Sequence, residues 1–294
     1  MINCSLCPRK CGANRQDNIP AGFCASPSLA LVTRAAPHFG EEPCISGTRG
    51  SGTVFFSGCN LRCVFCQNHE ISRGGQGQAL NARELGEMFL RLRDRGVHNI
   101  NLVTPTHYTD IIAEALSGIT LDIPVVWNSS GYDSVETLRQ LEGLVQIYMP
   151  DYKYADPALA KAWSMAEDYP AVALASIKEM YRQRGEFSLD EDGIMQNGLL
   201  IRHLIMPGHP ENSLRCIDAI EDNLPSDKII FSLMAQYTPM PGLESWPELC
   251  RPISSGEYER VRSYFDFSDI LYGFTQSPDS ATDEMIPDFD GTGV

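Results

Sequence analysis

The sequence has no apolar run approaching the ~18–20 residues that span a bilayer. Its first residues, Met-Ile-Asn-Cys-Ser-Leu-Cys, lack the basic-then-apolar layout of a signal peptide. These two absences give a cytoplasmic location as the expectation, with no membrane partner. Excess positive charge is missing too: 23 Lys and Arg stand against 38 Asp and Glu, a net charge of −15. Nothing global would draw a phosphate backbone, so no nucleic-acid partner is expected. After Arg262 there is no basic residue, while Asp266, Asp269, Asp279, Asp283, Glu284, Asp288 and Asp290 follow. The stretch 276–294, rich in Ser, Pro, Asp and Gly, reads as a solvated, disordered acidic tail. No internal repeat is present.

Apolar residues are not scarce. At 43% of 294 residues they suffice for one large α/β domain or two modest ones. Cysteine is abundant, with ten. A reducing compartment disfavours disulfides, so clustered thiols suggest metal. Cys4, Cys7, Cys11 and Cys24 form one group and Cys59, Cys63 and Cys66 another. Cys44, Cys216 and Cys250 stand alone and read as small hydrophobes without a role.

Residues 1–50 are rich in Cys, Pro and Gly, show no sustained periodicity, and read as a loop-rich extension that needs metal to order it. From residue 51 strands and helices alternate. Strands are predicted at 53–57, 99–103, 123–127, 144–149, 199–205, 228–233 and 270–274. A helix over 81–95 has Asn81 and Glu84 as a capping box and Gly96 as its stop. Further helices are predicted over 109–118, from Asp133 and Glu136 onward, from Asp156-Pro157 to about 184 with a break near Pro170, and over 211–222 and 255–265. Six β-then-α units imply a parallel sheet covered by helices over 51–275. Chemistry in such a fold belongs at the carboxyl ends of the strands. Cys59 lies just beyond the first of them.

Cys59-Asn-Leu-Arg-Cys63-Val-Phe-Cys66 has three thiols at C-x3-C-x2-C spacing and no fourth nearby. Three thiolates can grip three irons of a cubane and leave the fourth open to a ligand. Two other readings stand beside it. One is zinc with His69 as fourth ligand, and the other is unrelated buried cysteines. The motif, with Phe65 in the aromatic position, resembles the signature loop of the radical S-adenosylmethionine (SAM) superfamily. That resemblance implies a [4Fe–4S] cluster whose open iron holds SAM. It also implies reductive cleavage of SAM to a 5′-deoxyadenosyl radical that abstracts hydrogen, an oxidoreductase chemistry fed by flavodoxin or ferredoxin. Cys-Ser-Leu-Cys-Pro-Arg-Lys-Cys-Gly and the run from Glu41 to Asn60 resemble an uncharacterised iron–sulfur branch related to the pyruvate formate-lyase activating enzyme. This implies a partial (β/α)6 barrel and a glycyl-radical partner protein. A small molecule or peptide as substrate, and a non-enzymatic metal-bearing module, are the alternatives.

Other positions carry the resemblance one by one. Asp151-Tyr-Lys153 is similar to a SAM-holding Asp-x-Lys, and Asn128-Ser-Ser130-Gly131-Tyr132 to a segment near the ribose. His203 with Met206-Pro207-Gly208 is similar to a segment approaching the adenosine, and Gln236-Tyr237 to a closing polar–aromatic pair. Each has a plainer reading: a surface ion pair, a turn, a core histidine. The family's Gly-Gly-Glu, which receives the SAM amino group, is replaced by Val103-Thr104-Pro105-Thr106-His107. The N-terminal Cys4, Cys7, Cys11 and Cys24 leave open structural zinc, a second Fe–S cluster, or no metal.

Overall fold

The structure is a computed structural model that describes residues 4–15, 18–280 and 287–294. In chain order its elements are β1 Ala30–His38, α1 Pro43–Ser46, β2 Ser51–Phe56, α2 His69–Ser72, β3 Gln78–Leu80, α3 Ala82–Asp94, β4 Ile100–Val103, α4 Thr109–Ser117 and β5 Val125–Ser129. These are followed by α5 Val135–Leu138, β6 Ile147–Pro150, α6 Pro157–Ser164, α7 Tyr169–Arg184, β7 Ser188–Leu189, β8 Met195–Leu204, α8 Pro210–Glu221, β9 Ile230–Met234, α9 Ser255–Asp266 and β10 Gly273–Thr275.

One sheet joins the strands in the order β10-β9-β8-β6-β5-β4-β2-β1-β3, with β7 paired to β8 off this path. The run from β2 to β10 is parallel throughout. The fold is therefore mixed α/β with a mostly parallel sheet, as a partial barrel requires. The local signals act as read. Asn81 accepts from the Glu84 amide while the Glu84 carboxylate accepts from the Asn81 amide, closing the capping box of α3. Asp156 caps α6, and Pro170 sits in the first turn of α7.

Alternation along the strands sorts their side chains onto two faces. Trp127, Tyr148, Leu199, Ile201, Phe231 and Leu233 belong to the main core beneath the helices. Val126, Ile147, Met149, Leu200 and Ile230 face the other way and pack on Cys44 and Ile45 of α1. Helix α1 thus plugs the base of the inner face. Burying each such aliphatic side chain contributes about 1.5–3 kcal/mol.

Two expectations are corrected. Residues 1–50 are not only a loop-rich extension, because β1 runs antiparallel along β2 from Val32↔Phe56 to His38↔Ser51. Six of its nine residues are small or β-branched or aliphatic apolar types that suit a strand next to a sheet edge, yet no clean alternation marks them, since both faces are largely buried. The tail 276–294 is not simply solvated: residues 281–286 lie outside the described residues, but 287–294 lie on β1. The Ala35 amide donates to Thr292 O (2.9 Å), the Gly291 amide to Thr33 O (3.1 Å), and Arg34 pairs with Asp290 (3.2 Å). Phe289 packs edge-on against Phe55, ring centroids 5.4 Å apart. Among the described residues no helix is long and apolar enough to cross a membrane.

Candidate active site

The site lies where the parallel strands end. A cavity of about 230 Å³ is lined there by Cys59, Cys63, Phe65 and Cys66 from the loop after β2. Asn128 and Ser130 come from the end of β5, Asp151 and Lys153 from the end of β6, Arg202 from β8, and Gln236 and Tyr237 from the end of β9. The sequence places these residues hundreds of atoms apart along the chain, and the parallel order of the strands brings them to one mouth.

The cysteine loop is held from several sides. The Leu61 and Arg62 amides donate to Cys59 Sγ (3.3 and 3.4 Å), and Ser164 Oγ donates to Cys63 Sγ (3.0 Å). Such bonds favour thiolate ligands. Burial pushes the thiol of Cys66 up to about 12 and raises that of Cys59, with neighbouring Cys63 adding to both. The buried thiols thus keep their protons unless a metal displaces them. No three His, Cys, Asp or Glu side chains among the described residues stand at single-ion spacing. A cubane takes each thiolate on a different iron, so its ligands need not meet at one point. Phe65 is buried and packs edge-on against Tyr154, Trp163 and Tyr237, which fixes the loop between its cysteines. His69 is exposed and does not line the cavity.

Below the cysteines the cavity wall is ionic. Lys153 Nζ lies 2.6 Å from Asp151 Oδ2, and Arg202 Nε 3.0 Å from Asp151 Oδ1. The other arms of Arg202 reach Glu41 Oε2 (3.0 Å) and Asn128 Oδ1 (2.7 Å). Burial alone would raise the Asp151 carboxyl, but Lys153 and Arg202 outweigh it and hold the group below its ordinary value. Burial opposes the charge of Lys153, and Asp151 more than restores it. Asp151 and Lys153 are therefore a charged pair on the cavity wall, not a surface pair. Ser130 Oγ is buried among these residues with no partner, a free polar group on the lining.

His203 is a correction. Its neighbours Arg202 and Leu204 line the cavity, so strand alternation turns His203 to the opposite face. There it is fully buried, with Nδ1 2.7 Å from Tyr152 O and Nε2 2.8 Å from Ser213 Oγ. Burial lowers its pKa to about 4, so it is a neutral core histidine. In the segment that replaces Gly-Gly-Glu, Thr104 lines the cavity with φ +57°. Thr106 and His107 turn inward: Thr106 Oγ1 donates to Asp133 (2.7 Å), and His107 Nε2 lies 2.9 Å from Ser57 O. Asp133 does not cap a helix. It is buried and also receives Ser129 Oγ (2.6 Å), tying two strand ends together, and α5 starts two residues later.

Three residues that position the site escaped the sequence reading. Arg202 is an ionisable residue inside an apolar strand, a signal that was present. Glu41, in the loop between β1 and α1, had none, because β1 itself was not read. The Tyr169 hydroxyl accepts from the Lys153 amide (2.9 Å) and lies 2.8 Å from both Ser130 O and Asp151 O, buttressing three lining segments at once.

The chain is 31% identical over 269 residues to the uncharacterized protein MJ0674 of Methanocaldococcus jannaschii, covering 88% of this chain and 73% of that one. Among solved structures it is similar to SuiB of Streptococcus suis, with TM-score 0.51 and 17% identity over 74% of this chain and 47% of that one. It is also similar to HydG, a maturase of the [FeFe]-hydrogenase, with TM-score 0.50 and 13% identity over 77% of this chain and 52% of that one. The chain spans about half the length of these two structures, and at such identity they show the fold alone. The profile of the Radical SAM superfamily matches residues 53–214, from β2 through the cysteine loop and the ends of β4, β5, β6 and β8 into α8, and the chain belongs to that superfamily.

Proposed function

We propose that the chain abstracts hydrogen from a glycine of a partner protein, using SAM at a [4Fe–4S] cluster held by Cys59, Cys63 and Cys66, with flavodoxin or ferredoxin as electron source. Superfamily membership implies the cluster and SAM. One observation carries the site assignment: the three thiols of Cys59, Cys63 and Cys66 and the Asp151–Lys153 pair line the same cavity. When bound, the cluster and SAM supply a 5′-deoxyadenosyl radical that removes hydrogen from carbon.

The chain's own residues bind and orient. Lys153 presents an ammonium suited to the SAM carboxylate; Asp151 keeps it charged, and Arg202 holds Asp151 in place. Ser130 Oγ and Asn128 offer hydrogen-bonding groups for the ribose. Phe65 and Tyr237 exclude water beside the cysteines. The proposed target is a glycine of a partner protein, whose α-carbon carries no side chain. The resemblance of the Cys-Pro and Glu-Glu-Pro runs to the activating-enzyme branch supports the same class.

Two measurements check this reading. Lys153→Ala protein is expected to keep its iron and to bind SAM about tenfold or more weakly, since a charge-assisted contact contributes ~1.5–3 kcal/mol. Unchanged affinity in a titration would remove Lys153 from the SAM site. A glycyl-radical protein deuterated at glycine is expected to pass deuterium into 5′-deoxyadenosine. Turnover of SAM with no deuterium transfer, but with transfer from a labelled peptide or small molecule, would replace the protein substrate with that class.

A further inference from the structure

The four N-terminal cysteines have no part in the site above, yet the fold gathers them. Two backbone bonds, Cys4 N to Ala13 O and Gly12 N to Cys4 O (both 3.1 Å), bring Cys4 beside Cys11. Cys7 lies in the turn between them, where the Lys10 amide donates to Cys7 O (3.0 Å). A second tight turn closes with Ala21 and Ser26 paired and carries Cys24 at its tip. The two turns meet: a Cβ on Gly22 would fall 2.9 Å from Cys11 Sγ, so glycine is required for the approach. The cysteines are all free thiols, and Cys7 and Cys24 are buried. The four sulfurs do not stand at single-ion spacing, which is equally true of the three cavity cysteines.

Charge points the same way. In a chain of net charge −15, residues 1–40 contain one acid, Asp17, against Arg9, Lys10, Arg15 and Arg34. Four thiolates around Zn²⁺ or a [4Fe–4S]²⁺ core leave about two negative charges, which such a cationic segment offsets. The Arg9 guanidinium lies 4.0 Å from the Phe23 ring centroid, next to Cys24.

The segment is also clamped to the catalytic loop. Arg9, between Cys7 and Cys11, donates to Asn60 O (2.9 Å), beside Cys59. It donates as well to Ser164 O (2.8 Å), and the hydroxyl of the same serine bonds Cys63 Sγ. Gly58, which precedes Cys59, lies against this turn so closely that a Cβ there would fall 2.5 Å from Cys24 O.

We infer that Cys4, Cys7, Cys11 and Cys24 form a second metal site, a set of four thiolates taking an iron–sulfur core with each thiolate on a different iron, that staples the N-terminal segment and seats Arg9 against the loop of Cys59–Cys66. The bound metal replaces four thiol protons, which pass to solvent. No electron transfer is involved in this role.

The test uses the full chain with Cys59, Cys63 and Cys66 all changed to Ala, so that any retained metal reports on the N-terminal site alone. The protein is offered zinc chloride alone, or ferrous iron with sulfide, under anaerobic conditions, desalted, and assayed for metal and sulfide. Retention of about four iron with four sulfide supports the site. A folded protein, checked by circular dichroism, that retains no iron, or that retains zinc alone, overturns it. Should that variant fail to fold, C4A/C24A in the otherwise intact chain is compared with wild type. Loss of one cluster's iron and sulfide supports the site, and unchanged metal content overturns it.

Discussion

Cys63→Ala protein, reconstituted anaerobically with iron and sulfide, is expected to give no SAM-responsive EPR signal and to release no detectable 5′-deoxyadenosine. Cys63 is buried, receives Ser164 Oγ at 3.0 Å, and stands between Cys59 and Cys66 on the cavity wall. Two thiolates cannot hold three corners of a cubane, and no other cysteine lines that cavity to replace the third. The fold should survive, since a buried thiol replaced by a methyl group costs about 1–2 kcal/mol in a chain with so large a core. Total iron is a poorer readout than the SAM-responsive signal, because iron at the N-terminal cysteines would remain. Cleavage of SAM at more than a trace of the wild-type rate would sink the ligand assignment.

Arg202→Met protein is expected to lose about 3 kcal/mol or more of unfolding free energy. Arg202 bonds Asp151, Glu41 and Asn128, and the side chains of the three charged residues are 15%, 14% and 10% exposed, in the order Arg202, Asp151, Glu41. Removing the cation leaves Glu41 with only the amides of Asn101 and Asn128, and Asp151 with Lys153 alone. Breaking a buried ion pair from one side costs ~3–5 kcal/mol, because the remaining charge stays out of water. Arg83→Ala is the control. It removes an exposed arginine paired with an exposed Glu87 one helical turn away, and is expected to change stability little. Urea unfolding at neutral pH measures both. A loss below about 1 kcal/mol for Arg202→Met would show the network to be replaceable and would leave the strand ends held by backbone pairing.

The parts of the molecule legible in the sequence are those governed by local rules. Asn81 and Glu84 cap α3 because a capping box needs only residues three apart. The parallel strands were legible as apolar runs because both faces of each are covered. The cysteine loop was legible because its spacing is a ligand pattern in itself. What escaped depends on contacts far along the chain. Strand β1 pairs with β2 across an intervening loop and has buried residues on both faces, so no period marked it. With β1 unread, Glu41 and the plug of Cys44 and Ile45 had no place in the site. The segment 287–294 is acidic and polar by composition, but Phe289 finds Phe55 and the backbone finds β1, and neither partner is visible from composition. The resemblance that singles out His203 carries no information on facing. Strand alternation sets it, turning Arg202 to the cavity and His203 to the core.

Reduction of the reconstituted, anaerobic protein with dithionite in the presence of SAM, followed by quantitation of methionine and 5′-deoxyadenosine, tests the central claim most directly. Equal amounts of the two products, formed together with a [4Fe–4S]⁺ signal that changes when SAM is added, are the expected result. Intact SAM beside a chain that holds zinc and no cluster would contradict it, and would assign Cys59, Cys63 and Cys66 to a structural metal instead.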